Sequence, residues 1–484
     1  MHAILSFSSR RATRNPRENQ DIMIEPSNPP TSSTYPSALR TTTIPPSART
    51  LALGWLVLGI TALAIAGVFA ILLVLARTPG LSALFPTTDF FRTALIVHVD
   101  QSVLIWFLAF GGVLWSLGER EITFLHRLAL VFATLGCLAV ALTPFAGFSE
   151  PFLNNYVPVL RHPLFFGGIF LFATGILFQA LLALRQTTTH TDWIRPDRLA
   201  ALTAAVATLT ALLALTWTWI HLTRWEGQAY FEFLFWGGGH TIQFAYSQLM
   251  VAAWLGLAAG LGITLRVSIR ALQGLLILGV LPILIVPVLY SLYAVDSPQA
   301  HSAFMTLMRH GGGLAAIPIG IIVFYGLVKQ RGELSSDERP LYAALTASLL
   351  LFSVGGVLGW VISGLNTIIP AHYHGSIVGV TLALMGLSYH LLPLLGFSPP
   401  PSHLATIQPW VYAVGQLLHV GGLAASGAMG IQRKTAGAAQ GLDTLSAKVA
   451  MGVMGLGGLL AIIGGILFVV AVVYALRHPR APRW

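Results

Sequence analysis

Apolar stretches of roughly 20 residues follow one another from Leu51 almost to the C-terminus, with short polar breaks between them. Such a chain has few ways to fold. In hydrocarbon every backbone N–H and C=O must be satisfied within the protein, and a run of that length meets the demand as a helix crossing a bilayer about 30 Å thick. Composition agrees: 55% of the 484 residues are hydrophobic and 9% charged, with a mean hydropathy of +0.75, whereas about a quarter of a soluble domain is charged. The chain reads as an all-α, polytopic membrane protein. Its twelve spans lie near 50–76, 92–118, 126–147, 163–185, 198–222, 232–263, 268–293, 300–329, 341–364, 368–396, 408–430 and 448–477. One cysteine, Cys137, excludes a disulfide framework, a thiolate metal cluster and a covalent heme attached through Cys-x-x-Cys-His.

Residues 1–49 are rich in Ser, Thr, Pro and Arg and read as a disordered tail, without the apolar core of a secretory signal; Met23 is as good a start as Met1. Residues 478–484 form a second, short tail. Most of the 27 Lys and Arg fall on one side of the membrane if the N-terminus is inside, so both termini are expected in the cytoplasm. The net charge of +10 is then a topology signal facing a lipid bilayer, and no nucleic-acid partner is needed to explain it. Glu119 and Glu121 on an inner loop are expected to be solvated.

Four histidines fall within spans near the outer surface: His98 in span two, His240 in span six, and His372 and His374 in span ten. Each lies roughly 6–12 Å below the outer end of its span. Two histidines two apart on a helix point roughly 200° apart, so span ten can ligate a different metal centre on each side. A shared layer of imidazoles is what hemes standing perpendicular to the membrane need. Buried imidazoles that hold nothing are expensive in lipid. His390 and His419 stand apart from this layer and read as packing residues; His126, His162, His190, His221, His403 and His478 lie in loops or at span ends.

The segment Asn366–Gly396, NTIIPAHYHGSIVGVTLALMGLSYHLLPLLG, resembles helix ten of subunit I of the heme-copper oxidases. Phe235-Trp236-Gly237-Gly238-Gly239-His240 resembles that family's Phe-Trp-x-x-Gly-His, and Leu351–Gly356, Ile317–Gly320 and Gly430–Lys434 resemble segments of its helices nine and eight and of the loop before helix twelve. The resemblance runs from the first span to the last. It implies two hemes: a low-spin heme held by His98 and His374, and a high-spin heme held by His372. It also implies that Arg433 and Lys434 neutralise heme propionates, and that His240 is the distal-metal ligand of span six. Implied partners are other oxidase-type subunits and an electron donor such as cytochrome c or quinol. The implied place is the inner (plasma) membrane of a prokaryote.

Several residues depart from the family pattern. Copper in this family is held by three imidazoles, two of them an adjacent pair on helix seven; here span seven has none, and the pair would fall near Tyr293-Ala294. One imidazole does not hold copper tightly. His301 and His310 are the only substitutes in reach of that region. Phe244 stands where oxidases place the tyrosine linked to the helix-six histidine, and where nitric oxide reductases place a glutamate; Tyr246, Tyr290 and Tyr293 are substitute tyrosines. Ile319 and Ile322 stand on the usual proton path of span eight. Three functions compete: a cytochrome c oxidase-type enzyme that passes electrons from the low-spin to the high-spin heme to reduce oxygen; a nitric oxide reductase-like enzyme; and a copper-free diheme electron-transfer or gas-sensing protein. A heme-free transporter leaves the histidine layer unexplained.

Overall fold

A computed structural model describes residues 34–35, 44–78, 88–187, 195–330, 332–435 and 437–480. Most of the expected N-terminal tail, together with His190, lies outside the described residues. Helix α1 (Pro46–Arg77) begins before residue 50, because Pro46 pre-sets the first helical turn. The second span is one rod made of α2 (Thr88–Val99), a π-helical turn (Asp100–Ile105) and α3 (Trp106–Leu117). There follow α4 (Phe124–Leu142), α5 (Pro163–Thr187), α6 (Pro196–His221) and α7 (Gly227–Gly260). Span seven is broken into α8 (Ile269–Val280), a 3-10 turn at Leu281–Ile285 and α9 (Val286–Leu292), since Pro282 and Pro287 cannot continue the ladder. Span eight is α10 (Pro298–Gly311) and α11 (Ala316–Lys329), parted at Gly311-Gly312-Gly313. The bundle closes with α12 (Glu338–Trp360), α13 (Ile368–Leu394), α14 (Ser402–Ala428) and α15 (Leu445–Leu476).

All twelve expected spans are therefore helical. Among the described residues eleven are long and apolar enough to cross a membrane. The remaining one, α14, is as long but less apolar, and it turns Gln408, Gln416, His419 and Ser426 inward. Among the described residues strands are confined to short pieces: β1 (Thr34–Tyr35) with β4 (Leu265–Ser268), and a hairpin of β2 (Glu150–Phe152) and β3 (Val159–Arg161) with Pro151 opposite Leu160. Residues 478–480 of the C-terminal tail are tied down. His478 O accepts from Ser398 N and Arg480 N donates to Gly396 O, both at 2.9 Å.

Lipid tails are as apolar as leucine, so helices here adhere by close packing of small residues. Two such contacts set the site. A side-chain carbon on Gly375 of α13 would lie 2.6 Å from the Gly355 Cα of α12, so only glycines allow these backbones to meet. Gly457 of α15 lets that helix press against α14 at His419 in the same way.

Candidate functional site

Helix α13 sends its two histidines to different neighbours. His372 leans toward α12, where its Nδ1 donates to Gly355 O at 2.7 Å and its ring fills the space left by Gly359. His374 leans toward α14, where its ring is 4.7 Å from that of His419. The opposite-sidedness expected from the spacing is what the helix has. On α2, His98 Nδ1 donates to Ala66 O of α1 at 3.0 Å. A carbonyl only accepts, so in His98 and His372 the proton sits on Nδ1 and Nε2 is bare, which is the state in which an imidazole ligates a metal. His98, His372 and His374 are half-buried rather than sealed in.

The surroundings of His98 and His374 also carry a cation. Arg77, the last residue of α1, is within electrostatic reach of His374, His419 and Tyr373, and its Nε and Nη2 atoms are enclosed with no hydrogen-bond partner. Bare imidazole nitrogens beside an unsatisfied guanidinium fit a flat, iron-centred ligand with oxygen-bearing substituents. His419, read from sequence as a packing residue apart from the others, instead lies against His374 in this pocket; its Nδ1 donates to Met454 O at 2.9 Å.

His240 is built differently. Its Nδ1 donates to Trp236 O at 2.8 Å, one turn back on α7, so Nε2 is again bare. Here that nitrogen is taken: Tyr156 Oη donates to it at 2.9 Å. Tyr156 comes from the loop of the β2–β3 hairpin, and sequence reasoning missed it. The substitutes named from sequence lie elsewhere. Tyr246 packs edge-on against Phe107, Tyr290 bonds Thr218 Oγ1 at 2.9 Å, and Tyr293 is exposed. The signals that pointed to Tyr156 were the turn-forming Asn154-Asn155 before it and three glycines before His240, the last of which leaves room for the Tyr156 ring.

The hairpin loop is held from three sides. Asn154 Oδ1 accepts from Tyr156 N (3.2 Å) and Val157 N (3.0 Å); Asn155 donates to Glu232 of α7; and Lys434 Nζ donates to Leu153 O (2.5 Å) and Asn154 O (3.2 Å). Lys434 adopts φ 59° to make this reach. Burial, reinforced by the neighbouring Arg433, pushes its ammonium down to about 8. Burial, with Glu232 adding to it, holds the Tyr156 hydroxyl above the ordinary phenol range. Of the basic pair expected at propionates, Lys434 reaches into a loop, while Arg433 lies within electrostatic reach of Tyr156 and Tyr373.

Neither substitute imidazole joins His240. The His301 ring lies 4.3 Å from Trp236, with Nδ1 toward Ser297 O at 3.3 Å, and His310 packs edge-on at Trp360. Among the described residues no three His, Cys, Asp or Glu side chains converge as metal ligands. The residues present therefore fit heme and do not fit copper.

Three further groups correct or extend the sequence reading. Glu119 is buried, not solvated: its Oε2 is 3.3 Å from His126 Nε2, and His126 Nδ1 accepts from Thr123 N at 3.1 Å. His126 is accordingly part of a buried pair and a helix cap rather than a bystander. Asp100, in the π-helical turn, is fully buried with both carboxylate oxygens unpartnered, and Tyr246 is within its electrostatic reach. At the far end of α13, His390 borders a cavity of about 290 Å³ together with Asp337, Glu338 and Tyr389.

A family model described as Cytochrome C and Quinol oxidase polypeptide I matches residues 50–473. An uncharacterized protein of Rickettsia prowazekii (strain Madrid E) is 31% identical over 500 residues, covering 87% of this chain and 95% of that one. An uncharacterized protein of Aquifex aeolicus (strain VF5) is 32% identical over 349 residues, covering 71% and 85%. Among solved structures, a chain of a heme-copper terminal oxidase dimer superposes with a TM-score of 0.69 over 90% of this chain and 85% of that one, at 16% identity. That identity speaks for the fold alone.

Proposed function

The chain belongs to the cytochrome c and quinol oxidase polypeptide I family, and from that premise we propose that it is the heme-bearing subunit of a membrane oxidoreductase, taking electrons at a low-spin heme and delivering them to a high-spin heme where oxygen is reduced. Membership makes it an oxidase-like, multi-pass, heme-binding subunit. The finer assignment is that His98 and His374 hold the low-spin heme and His372 the high-spin heme. One observation carries it: α13 directs His372 to α12 and His374 to α14, and the anchored Nδ1 of His372 leaves its ligating nitrogen free. When bound, the hemes supply one-electron relay and gas-binding chemistry. The chain's own part is to orient three imidazoles, to offer Arg77 and Arg433 to anionic substituents, and to keep water out with an apolar shell.

Electrons come from outside this chain, through a partner subunit carrying cytochrome c or through a quinol, since one cysteine provides no covalent heme attachment. The topology we favour puts both termini in the cytoplasm of a prokaryote, with the chain in the inner (plasma) membrane. The test is heme content and optical spectra of the purified chain. His98→Ala and His374→Ala are each expected to lose the low-spin signal, and His372→Ala the high-spin signal. A His372→Ala protein that retains its high-spin heme overturns the assignment.

The departure at span seven favours a second reading, a copper-free diheme protein for electron transfer or gas sensing, with a nitric oxide reductase-like enzyme as its catalytic form. Oxygen uptake with a reduced donor separates them: turnover supports the oxidase, whereas two hemes without oxygen turnover support the second reading.

A further inference from the structure

Of the three imidazoles proposed as heme ligands, two are anchored on backbone carbonyls. His98 Nδ1 donates to Ala66 O at 3.0 Å, and His372 Nδ1 to Gly355 O at 2.7 Å. His374 instead meets side chains of α14. The His419 ring lies 4.7 Å from it between centroids, with the two planes tilted by 59°, and Gln416 is within its electrostatic reach. An imidazole that ligates a metal almost always has an outer partner that fixes its ring and its tautomer. We infer that His419 is the positioning residue of His374: it sets the orientation of that ring at the low-spin heme and, as a hydrogen-bond acceptor, tunes the potential of that heme. This rests on the reading of His374 as a low-spin ligand.

His419 is itself held by α15. It is buried, and its Nδ1 donates to Met454 O at 2.9 Å. A side-chain carbon on Gly457 would collide with the His419 backbone N, and one on Gly458 would lie 3.2 Å from His419 Nδ1. Two adjacent glycines thus let α15 come close enough to present that carbonyl. Since a carbonyl only accepts, the ring proton of His419 is spent on Met454 and Nε2 is bare. The ring therefore meets the pocket of His374, His98 and Arg77 as an acceptor. An acceptor set against the other N–H of a ligating imidazole raises the basicity of the ligand, which favours ferric over ferrous iron. The line of support runs from an α15 carbonyl through His419 to His374, and His419 is the link that a substitution can remove while leaving the ligand in place.

The test uses the full-length, heme-loaded protein, with the electron paramagnetic resonance g-values of the oxidised low-spin heme and its midpoint potential as readouts. His419→Phe keeps a flat ring and removes the acceptor. It is expected to retain the low-spin heme, to move its g-values and to favour the reduced form about tenfold, which is about 59 mV for one electron. His419→Gln, which returns an acceptor, is expected to bring the potential back toward wild type. If His419→Phe does not assemble, His419→Leu is read in the same way; loss of heme from both makes His419 a packing residue and overturns the inference. Wild-type g-values and potential in His419→Phe overturn it, as does no recovery in His419→Gln. A shift found in Gln416→Leu alone also overturns it and passes the role to that residue. A His374→Ala protein that keeps its low-spin heme removes the ligand assignment itself, and the inference falls with it.

Discussion

Asp100 is a carboxylate fully enclosed with neither oxygen hydrogen-bonded. Burying a polar group without a partner costs about 1–3 kcal/mol. Asp100→Leu is therefore expected to raise the thermal midpoint of the purified protein. A lower midpoint would mean that the carboxylate is satisfied in the loaded protein, and the unused group would then be a working one, as intramembrane acids usually are. Gly239 carries the opposite risk. Gly239→Ala pushes a methyl group into the Tyr156 ring, and overpacking of this kind costs roughly 1–3 kcal/mol. Thermal melting should show that loss, and it should shrink when Tyr156→Ala is added, because the two residues touch. His126→Ala leaves the buried Glu119 carboxylate without its neighbour; about 1–3 kcal/mol of destabilisation is expected from the orphaned acceptor. A Thr123→Ala control, which removes only the hydroxyl side of the cap, should cost less.

At the level of elements, the loop clamp has a pH signature. Lys434 is held down at about 8, by burial first and by Arg433 second, against a usual lysine value near 10.4. In the folded protein the ammonium is thus harder to keep than in the unfolded chain. Its burial costs stability while both states are protonated, below about 8, and that cost fades as pH rises through the window toward 10.4. Melting curves of wild type and Lys434→Met should therefore change their separation in favour of wild type between pH 7.5 and 10. A separation constant across that range would show that Lys434 is not depressed. The helices themselves were legible in the sequence because lipid leaves a 20-residue apolar run no other fold. The breaks were less so: Pro282 and the glycines at 311–313 mark where spans seven and eight interrupt, yet hydropathy averages across them. Depth counted from helix starts misled for His240, since α7 begins at Gly227 and extends well beyond the expected edge. The pairing of Tyr156 with His240 carried only local hints in the turn-forming asparagines and the glycines, because the two lie 84 positions apart and Tyr156 is in a loop. Sequence periodicity relates residues on one helix, and no rule of spacing connects a hairpin loop to a histidine on another element.

For the whole molecule, the proposed topology, with both ends on the cytoplasmic side, can be tested by labelling. Cys137 is the single cysteine and is buried, so the wild type is a silent background for labelling. Cysteines introduced at Ser33 and Pro479 are both expected to react with an impermeant maleimide only in inverted vesicles; reaction of either in right-side-out cells would reverse the orientation. What the sequence conveyed at this scale was the bundle. What it withheld was how the far parts of the chain are tied together, because those ties run through loop carbonyls that have no residue-type signature, as at Leu153 and Asn154.

The clamp from Lys434 to Leu153 also sets a clock. The two residues are 281 positions apart, so at 5–20 residues per second the ribosome adds Lys434 on the order of tens of seconds after Leu153 has been made. Until then the hairpin that carries Tyr156 lacks its third tether. The hairpin is therefore completed late in synthesis, when the segment between the last two helices arrives.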